Sequence, residues 1–202
     1  MEVIRGLINI KERHRRAVIT VGNFDGVHTG HRTILLEMKR KAAELKTKTL
    51  LICFEPQPRE FFDYYNAPAR LTRFKEKIEL LNELGIDSVL CLKFDESFRE
   101  TTAERFIEIM GNDLAAKAVY VGDDSRFGQG RTGNFDYLKK AGQRFGFGVY
   151  SFDTITHGEA RVSSTRIREC LDSGDFEMAE QLLGHPYFIT GKVIYGRQIG
   201  RT

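Results

Sequence analysis

The chain has 202 residues, of which 41% are hydrophobic and 29% are charged, and its formal net charge is +3. This length suits one α/β domain with a short additional segment. So small a positive charge does not indicate a nucleic-acid or membrane partner, which would require a concentrated basic face. No apolar run could span a bilayer, and the amino terminus lacks the cleavage site of a secretory signal. We therefore expect a cytoplasmic globular protein.

The three cysteines, Cys53, Cys91 and Cys170, are widely separated. An odd and sparse set predicts reduced thiols rather than a disulfide framework. No two cysteines, and no cysteine and histidine, stand at the spacing of zinc ligands, so no structural zinc site is expected.

Short apolar runs rich in β-branched residues alternate with helical patterns along the chain. The predicted strands are residues 17–24, 49–54, 88–94, 117–122 and 148–153. Apolar helical periodicity begins at Ile34. Thr72 is predicted to cap a helix that stops at Gly85, and Thr101 with Glu104 has the spacing of a capping box. This alternation predicts a Rossmann-like open parallel sheet with helices on both faces.

The last segment has a different pattern. After a short helix predicted at 176–183, residues 186–202 indicate a strand followed by a glycine-rich loop. We therefore divide the chain into an α/β domain, 1–185, and the incomplete start of a second unit, 186–202.

A candidate anion site follows the first strand, where open α/β sheets bind ligands. Its sequence is GNFDGVHTGH, residues 22–31. Gly26 and Gly30 would let the backbone approach a ligand closely. His28 and His31 flank a helix start, and their imidazoles could donate charge-assisted hydrogen bonds to phosphate. The segment is neither a Walker motif nor a dinucleotide fingerprint. Taken alone, the histidines could also be a surface pair or, with weaker support, a metal site.

A second candidate lies late in the chain, in RVSSTRIRECL at 161–171. Ser163, Ser164 and Thr165 stand at a predicted helix start, with Arg166 and Arg168 close behind. Hydroxyl and backbone N–H groups there could hold phosphate oxygens, and a guanidinium is suited to pyrophosphate. On its own, such a segment is most often the cap of a solvated helix.

Together the two segments resemble the paired motifs of the nucleotidylyltransferase superfamily, in the form found in prokaryotic bifunctional riboflavin kinase/FAD synthetases. The resemblance implies that His28 and His31 contact ATP phosphates and stabilise charge at the α-phosphate. It also implies that Arg168 holds the leaving pyrophosphate, which makes these three the expected catalytic residues. The further expected ATP-binding residues are Gly22, Asn23, Phe24, Asp25, Gly30, Arg161, Ser164 and Thr165.

Two more segments resemble the flavin side of this family. In FEPQPREFF, residues 54–62, Pro56 and Pro58 stiffen the loop and Phe62 offers a face to the isoalloxazine ring. Gln57 stands where many members have histidine, and both residues can form hydrogen bonds. The resemblance implies flavin contacts from all three of Pro56, Pro58 and Phe62.

The other flavin-side segment is VGDDSRFGQGRTG, residues 121–133, which resembles the family's Gly-Asp-Asp-Phe-Arg-Phe-Gly loop. Here the resemblance implies contacts to the flavin or its ribityl chain from Asp123, Asp124 and Arg126. Ser125 replaces the family's phenylalanine. Loss of a large apolar side chain predicts looser flavin packing or weaker folding.

The final residues, GKVIYGRQIGRT, resemble the opening of the riboflavin kinase module, a β-barrel of which only the first strand would be present. The resemblance implies an FAD synthetase that transfers AMP from ATP to FMN, giving FAD and pyrophosphate, with Mg²⁺ bridging phosphate oxygens and no dedicated protein metal site. Riboflavin kinase activity would need a C-terminal module beyond this chain. The alternatives are a nucleotidylyltransferase for another phosphorylated small molecule, a non-catalytic flavin or nucleotide sensor, and a kinase alone.

Overall fold

The fold is an open parallel β-sheet covered by helices, seen in a computed structural model that describes residues 1–152 and 155–196. The six strands are β1 (Glu2–Arg5), β2 (Val18–Val21), β3 (Thr49–Glu55), β4 (Ser88–Lys93), β5 (Ala118–Gly122) and β6 (Gly148–Phe152). They lie in the order β1-β4-β3-β2-β5-β6, and every adjacent pair is parallel. The Rossmann-like α/β prediction is confirmed.

All five predicted strands are present, although Asp153, the predicted end of the last one, lies outside the described residues. The strand β1 was not predicted from the sequence. This strand has only four residues, and just one of them is buried, because it pairs only with β4 at the edge of the sheet. An edge strand of this kind lacks the continuous apolar run that marks a strand covered on both faces.

Helices cover both faces of the sheet. They are α1 (Thr29–Glu44), α2 (Pro58–Phe62), α3 (Phe74–Glu83), α4 (Glu96–Arg99), α5 (Ala103–Glu108), α6 (Phe135–Phe145), α7 (Ser164–Asp172) and α8 (Phe176–Leu183). Alternate residues of the strands pack into two separate cores, one formed with α1 and α3 and the other with α5 and α6. No helix within the described ranges is both long and apolar enough to cross a membrane.

The predicted cap of α3 is wrong by one residue. Arg73 is the N-cap, and its backbone N–H donates to Glu76 at 2.7 Å. The Thr72 hydroxyl instead accepts a 3.0 Å hydrogen bond from the backbone N–H of Gly26. Thr72 therefore joins the start of α3 to the segment after β2. The predicted stop is confirmed, since Gly85 follows the helix with φ of +75°.

The predicted capping box at Thr101 and Glu104 is also wrong. Thr102 is the N-cap of α5, and its hydroxyl accepts from the Arg105 backbone N–H at 3.1 Å. Glu104 turns away from the helix start and accepts from the Tyr137 hydroxyl of α6 at 2.9 Å. Two adjacent threonines offer the same hydroxyl, so the sequence pattern alone does not decide between them.

The carboxyl-terminal segment does not form the predicted strand. Residues 186–196 contain no strand pairing, and residues 197–202, with the end of the predicted glycine-rich loop, lie outside the described part. A strand needs a neighbour for its backbone hydrogen bonds, and no strand within the described residues pairs with this segment. Thr190 instead contacts α3: its backbone N–H and its hydroxyl donate to Glu76 Oε1 at 2.8 and 2.7 Å.

Replacing Thr190 with valine is expected to lower the free energy of unfolding by about 1 kcal/mol, because buried Glu76 loses one donor. Burial opposes ionisation of Glu76, but the hydrogen bonds from Thr190 and Arg73 outweigh it and lower its pKa. Urea unfolding checks the value, with Thr132→Val as the matched exposed control. Equal stabilities of the two variants would contradict this role of Thr190.

Candidate functional site

A cleft of about 300 Å³ lies at the carboxyl end of the sheet. Three chain segments supply most of its lining: residues from 20–34 at the end of β2 and the start of α1, residues 122–125 at the end of β5, and residues 161–164 at the start of α7; Phe152 and Ile155 complete it. Segments more than a hundred residues apart in sequence thus meet at one site. The two motif segments singled out in the sequence are brought together, at the edge where open α/β sheets bind ligands.

The two histidines form a stacked pair at the start of α1. Their ring centroids are 3.6 Å apart, with an interplanar angle of 17°. His28 is the N-cap, and its Nδ1 accepts from the His31 backbone N–H at 3.3 Å. Because Nδ1 of His28 is an acceptor, the proton of the neutral ring lies on Nε2 and can be donated to a ligand. Both residues line the cleft.

Both imidazoles are neutral at pH 7 in the ligand-free protein. The pKa of His28 is lowered to about 4, mainly by burial; Asp25 opposes this shift and Arg161 adds to it. Burial also holds the pKa of His31 well below its usual value, and repulsion from a protonated His28 and from the Lys77 ammonium adds to the effect. The charged donors expected from the sequence are therefore absent before a ligand binds, because desolvation disfavours the imidazolium form.

This depressed pKa predicts a pH-dependent stability. Unfolded His28 titrates near 6.5 and folded His28 near 4, so between these values the unfolded state binds more protons. The stability that His28 contributes is therefore full above pH 6.5 and is lost as the pH drops toward 4, by about 3 kcal/mol for this residue. Between pH 7 and pH 5, His28→Gln should lose about 2 kcal/mol less than the wild type in urea unfolding. Exposed His157→Gln is the control and should behave as the wild type.

Charged side chains lie at the mouth of the cleft. Arg161, before α7, donates to Asp124, after β5, at 3.2 Å, and both are largely exposed. Asp123 and Ser125 also line the cleft. Arg126 does not: it is exposed, and its guanidinium bonds the Ser125 carbonyl at 2.9 Å. The structure thus brings Asp123 and Asp124 to the phosphate-side motifs but leaves Arg126 outside this cleft.

Asp25 does not line the cleft; it is a buried carboxylate that accepts hydrogen bonds from several donors. Only 4% of it is exposed. Its carboxylate accepts from the backbone N–H groups of Leu71 and Thr72, each at 3.0 Å, and from the Arg168 guanidinium. Arg168 also donates to the Ala69 carbonyl at 2.5 Å. The predicted catalytic arginine is therefore tied to Asp25 in this structure, and neither residue lines the cleft.

The start of α7 is held against the β2 segment. Ser163 is the N-cap and accepts from the Arg166 backbone N–H at 3.2 Å. The Ser164 hydroxyl donates to the Asp25 carbonyl at 3.0 Å. Both serines line the cleft, whereas Thr165 is exposed and does not. Ser163, which the sequence analysis gave only as part of the helix start, is thus closer to the site than Thr165.

The two glycines of the first motif serve different purposes. Gly30 lines the cleft, and a Cβ there would lie 3.2 Å from the His28 ring, which would disturb the histidine stack. Gly26 has φ of +80°, and a Cβ there would lie 2.8 Å from the Leu71 side chain. The expectation that Gly26 lets a ligand approach is therefore wrong, because it faces packed protein. Gly22, Asn23 and Phe24 line the cleft, and their predicted contacts to ATP stay a prediction.

The proline loop, residues 54–62, carries an aromatic surface separate from the cleft. A cis peptide precedes Pro56, and Pro58 begins α2. Phe62 is 62% exposed and packs against Phe94, with ring centroids 5.7 Å apart. None of the three predicted flavin contacts lines the cleft, so their role in flavin binding stays a prediction.

Two charged residues under the site were not found from the sequence. Lys77 is fully buried, and its Nζ donates to the Asn23 carbonyl at 2.9 Å. Arg70 makes two hydrogen bonds to Glu55, at 3.0 and 2.9 Å. One signal was available: Lys77 stands three and four residues before Leu80 and Leu81, which places it on the buried face of α3.

The protein is of the Rossmann-like α/β class, and the carboxyl edge of its sheet gathers a helix-capping imidazole pair and a serine-rich helix start, features of the kind that suit an anion. The chain belongs to the FAD synthetase family, whose family model matches residues 10–166.

Relatives of similar sequence are bifunctional riboflavin kinase/FMN adenylyltransferases. The chain is 44% identical over 204 residues to that of Escherichia coli strain K12, covering 100% of this chain and 65% of the relative. It is 46% identical over 203 residues to that of Haemophilus influenzae, covering 100% and 66%. The chain thus spans about 65% of the length of such relatives.

One solved structure supports the fold. A crystal structure described as a macrolide-efflux protein from Streptococcus pneumoniae has a TM-score of 0.78 and 24% sequence identity, over 92% of this chain and 70% of the other. At this identity the likeness concerns the fold alone.

Proposed function

We propose that this chain is an FMN adenylyltransferase, which transfers AMP from ATP to FMN and gives FAD and pyrophosphate. The observation that carries the proposal is the meeting of His28, His31, Ser164 and Arg161 at one cleft. Membership of the FAD synthetase family supports it. The riboflavin kinase activity named for the relatives, a C-terminal kinase module as partner, and a cytoplasmic location belong to the same proposal for the full-length protein.

In this mechanism an FMN phosphate oxygen attacks the α-phosphorus of ATP, and the bond from that phosphorus to the β-phosphate oxygen breaks. The FMN phosphate is already ionised near neutral pH, so no general base is required. Neutral His28 donates from Nε2 to a phosphate oxygen. The negative triphosphate raises the pKa of both imidazoles, which lets them take up protons as charge develops. Positioning and charge stabilisation supply most of the rate enhancement in such transfers.

Mg²⁺ fits the donors near the cleft. The carboxylates of Asp123 and Asp124 are hard oxygen donors, and within the described ranges no three metal-binding side chains converge. Mg²⁺ keeps several waters and binds through one or two carboxylates and substrate phosphates. We propose that these two residues would hold it beside the triphosphate, where the ion would neutralise phosphate charge. The remaining steps depend on the residues of the chain itself.

The proposal changes the flavin side in one respect, since Asp123 and Asp124 are moved from flavin contacts to Mg²⁺. Pro56, Pro58 and Phe62 would still receive the isoalloxazine ring, and Arg126 would contact the flavin or its ribityl chain. Arg168 would contact the leaving pyrophosphate only after it parts from Asp25. In the ligand-free protein it supports the site by fixing Asp25, whose carbonyl accepts from Ser164.

The test is to incubate the purified chain with ATP, FMN and MgCl₂ and to measure FAD and pyrophosphate in equal amounts. Addition of EDTA should abolish both products. A panel of other phosphorylated acceptors, including phosphopantetheine and sugar phosphates, is tested in parallel. Product from one of these but not from FMN would show a nucleotidylyltransferase for another phosphorylated small molecule. Binding of ATP or FMN without any turnover would favour a non-catalytic sensor.

A further inference from the structure

Lys77 is the only lysine among the described residues whose side chain is fully buried. It lies on α3, and its Nζ donates to the Asn23 carbonyl at 2.9 Å. Glu55 Oε1 is 3.9 Å from Nζ, and the Phe74 ring centroid is 5.9 Å away. The ammonium thus has one close hydrogen bond and one carboxylate at the limit of an ion pair.

Burial of an ammonium is expensive, and an aliphatic side chain would fill the same space without that penalty. A long apolar residue at position 77 would also suit the buried face of α3, which carries Leu80 and Leu81. The fold alone therefore does not require a charge at this position. The contact that an apolar residue could not supply is the hydrogen bond to Asn23.

Asn23 belongs to the candidate site. It lines the cleft, and its Oδ1 is buried without a hydrogen-bond partner in the described part of the chain. The next residue, Phe24, has the left-handed conformation, with φ of +49°, and its ring lies 4.7 Å from that of His31. Lys77 thus anchors, from outside the cleft, a strained turn that carries one free polar group and contacts one imidazole.

Lys77 also connects this turn to the proline loop. Glu55, at the end of β3, lies between Lys77 and Arg70, and Arg70 also pairs with Glu60 of α2. One chain of charges therefore runs from the turn after β2 to the segment proposed to receive the flavin.

We propose that Lys77 is a positioning residue for the nucleotide site: it fixes the Asn23 turn beside His31 and ties that turn, through Glu55, to the proline loop. This inference rests on the proposed function for its kinetic effects. Its charge acts on His31 directly, together with His28 stacked on that ring, while Asp25 and Arg161 act on His28. Removal of the Lys77 charge therefore changes the site even without a ligand.

The test uses Lys77→Met in the wild-type and the Glu55→Gln backgrounds, because the second background removes the carboxylate that lies 3.9 Å from the Lys77 ammonium while Arg70 keeps Glu60 as a partner. We expect kcat for FAD formation to fall at least 10-fold in both backgrounds, since small misplacements of reacting groups reduce rates strongly. The melting temperature of the double variant should stay close to that of the Glu55→Gln protein, because methionine fills the buried space without a charge, whereas its kcat should not. Lys75→Met is the matched control: it lies on the same helix, its side chain is 80% exposed, and its kcat should stay as in the wild type.

A stable double variant with the kcat of the Glu55→Gln protein would overturn the proposal, because Lys77 would then serve stability alone. A second readout does not depend on turnover. Titration of the His31 imidazole by NMR in the ligand-free double variant should show a higher pKa than in the Glu55→Gln protein. If the wild type makes no FAD, the proposed function fails, and an unchanged His31 pKa would separately refute the positioning role.

Discussion

Replacing His28 or His31 with asparagine is expected to lower kcat for FAD formation by about 10²–10³-fold, because each variant loses an N–H donor aimed at charge that develops during transfer. Asparagine is chosen so that a loss of kcat does not reflect a loss of the folded structure. It is a good N-cap, so His28→Asn can still accept the hydrogen bond that His28 Nδ1 accepts from the backbone of residue 31. The free energy of unfolding should therefore change by only about 1 kcal/mol.

The measurement is steady-state FAD formation at saturating ATP and FMN, with urea unfolding of each variant. His157→Asn, at an exposed position in the described structure, is the control and should retain wild-type turnover. Two folded variants that each keep more than a tenth of the wild-type kcat would remove the histidine pair from the mechanism. A rise in KM for ATP with an unchanged kcat would assign the pair to ATP binding rather than to the transition state.

Most strands of the sheet could be predicted from the sequence, because they are buried on both faces. Residues 49–54 and 88–94 are nearly continuous apolar runs. They form β3 and β4, two inner strands of the sheet, and β3 lies next to β2. The edge strand β1 and the exact helix caps could not be predicted. Their choice depends on contacts between distant residues, such as Thr72 with Gly26 and Glu104 with Tyr137.

The candidate site was predictable in its residue types but not in its pairings. The sequence placed His28, His31, Ser164 and Arg161 at strand and helix ends, and the structure brings them to one cleft. The partner of Arg168 was not predictable, because a buried carboxylate can accept several donors and only the fold decides which ones reach it. The protonation state of the histidines follows from burial, which a sequence pattern does not measure.

The second large effect concerns Asp25. Asp25→Ala is expected to lower the free energy of unfolding by about 3–5 kcal/mol, because it leaves a partly buried guanidinium and two buried backbone N–H groups without their acceptor. The Arg168 side chain is 21% exposed and that of Asp25 is 5% exposed, so water replaces little of the lost interaction. Urea unfolding at pH 7 measures the loss.

The exposed pair Arg161–Asp124 provides the matched comparison, since its side chains are 55% and 65% exposed. Asp124→Ala should lower stability by at most about 1 kcal/mol. The double variant Asp25→Ala with Arg168→Met should regain part of the stability lost in Asp25→Ala, because it no longer buries an unpaired charge. A double variant less stable than the single one would show that Arg168 stabilises the fold mainly through the Ala69 carbonyl, and that the ion pair with Asp25 is not the link between α7 and the turn after β2.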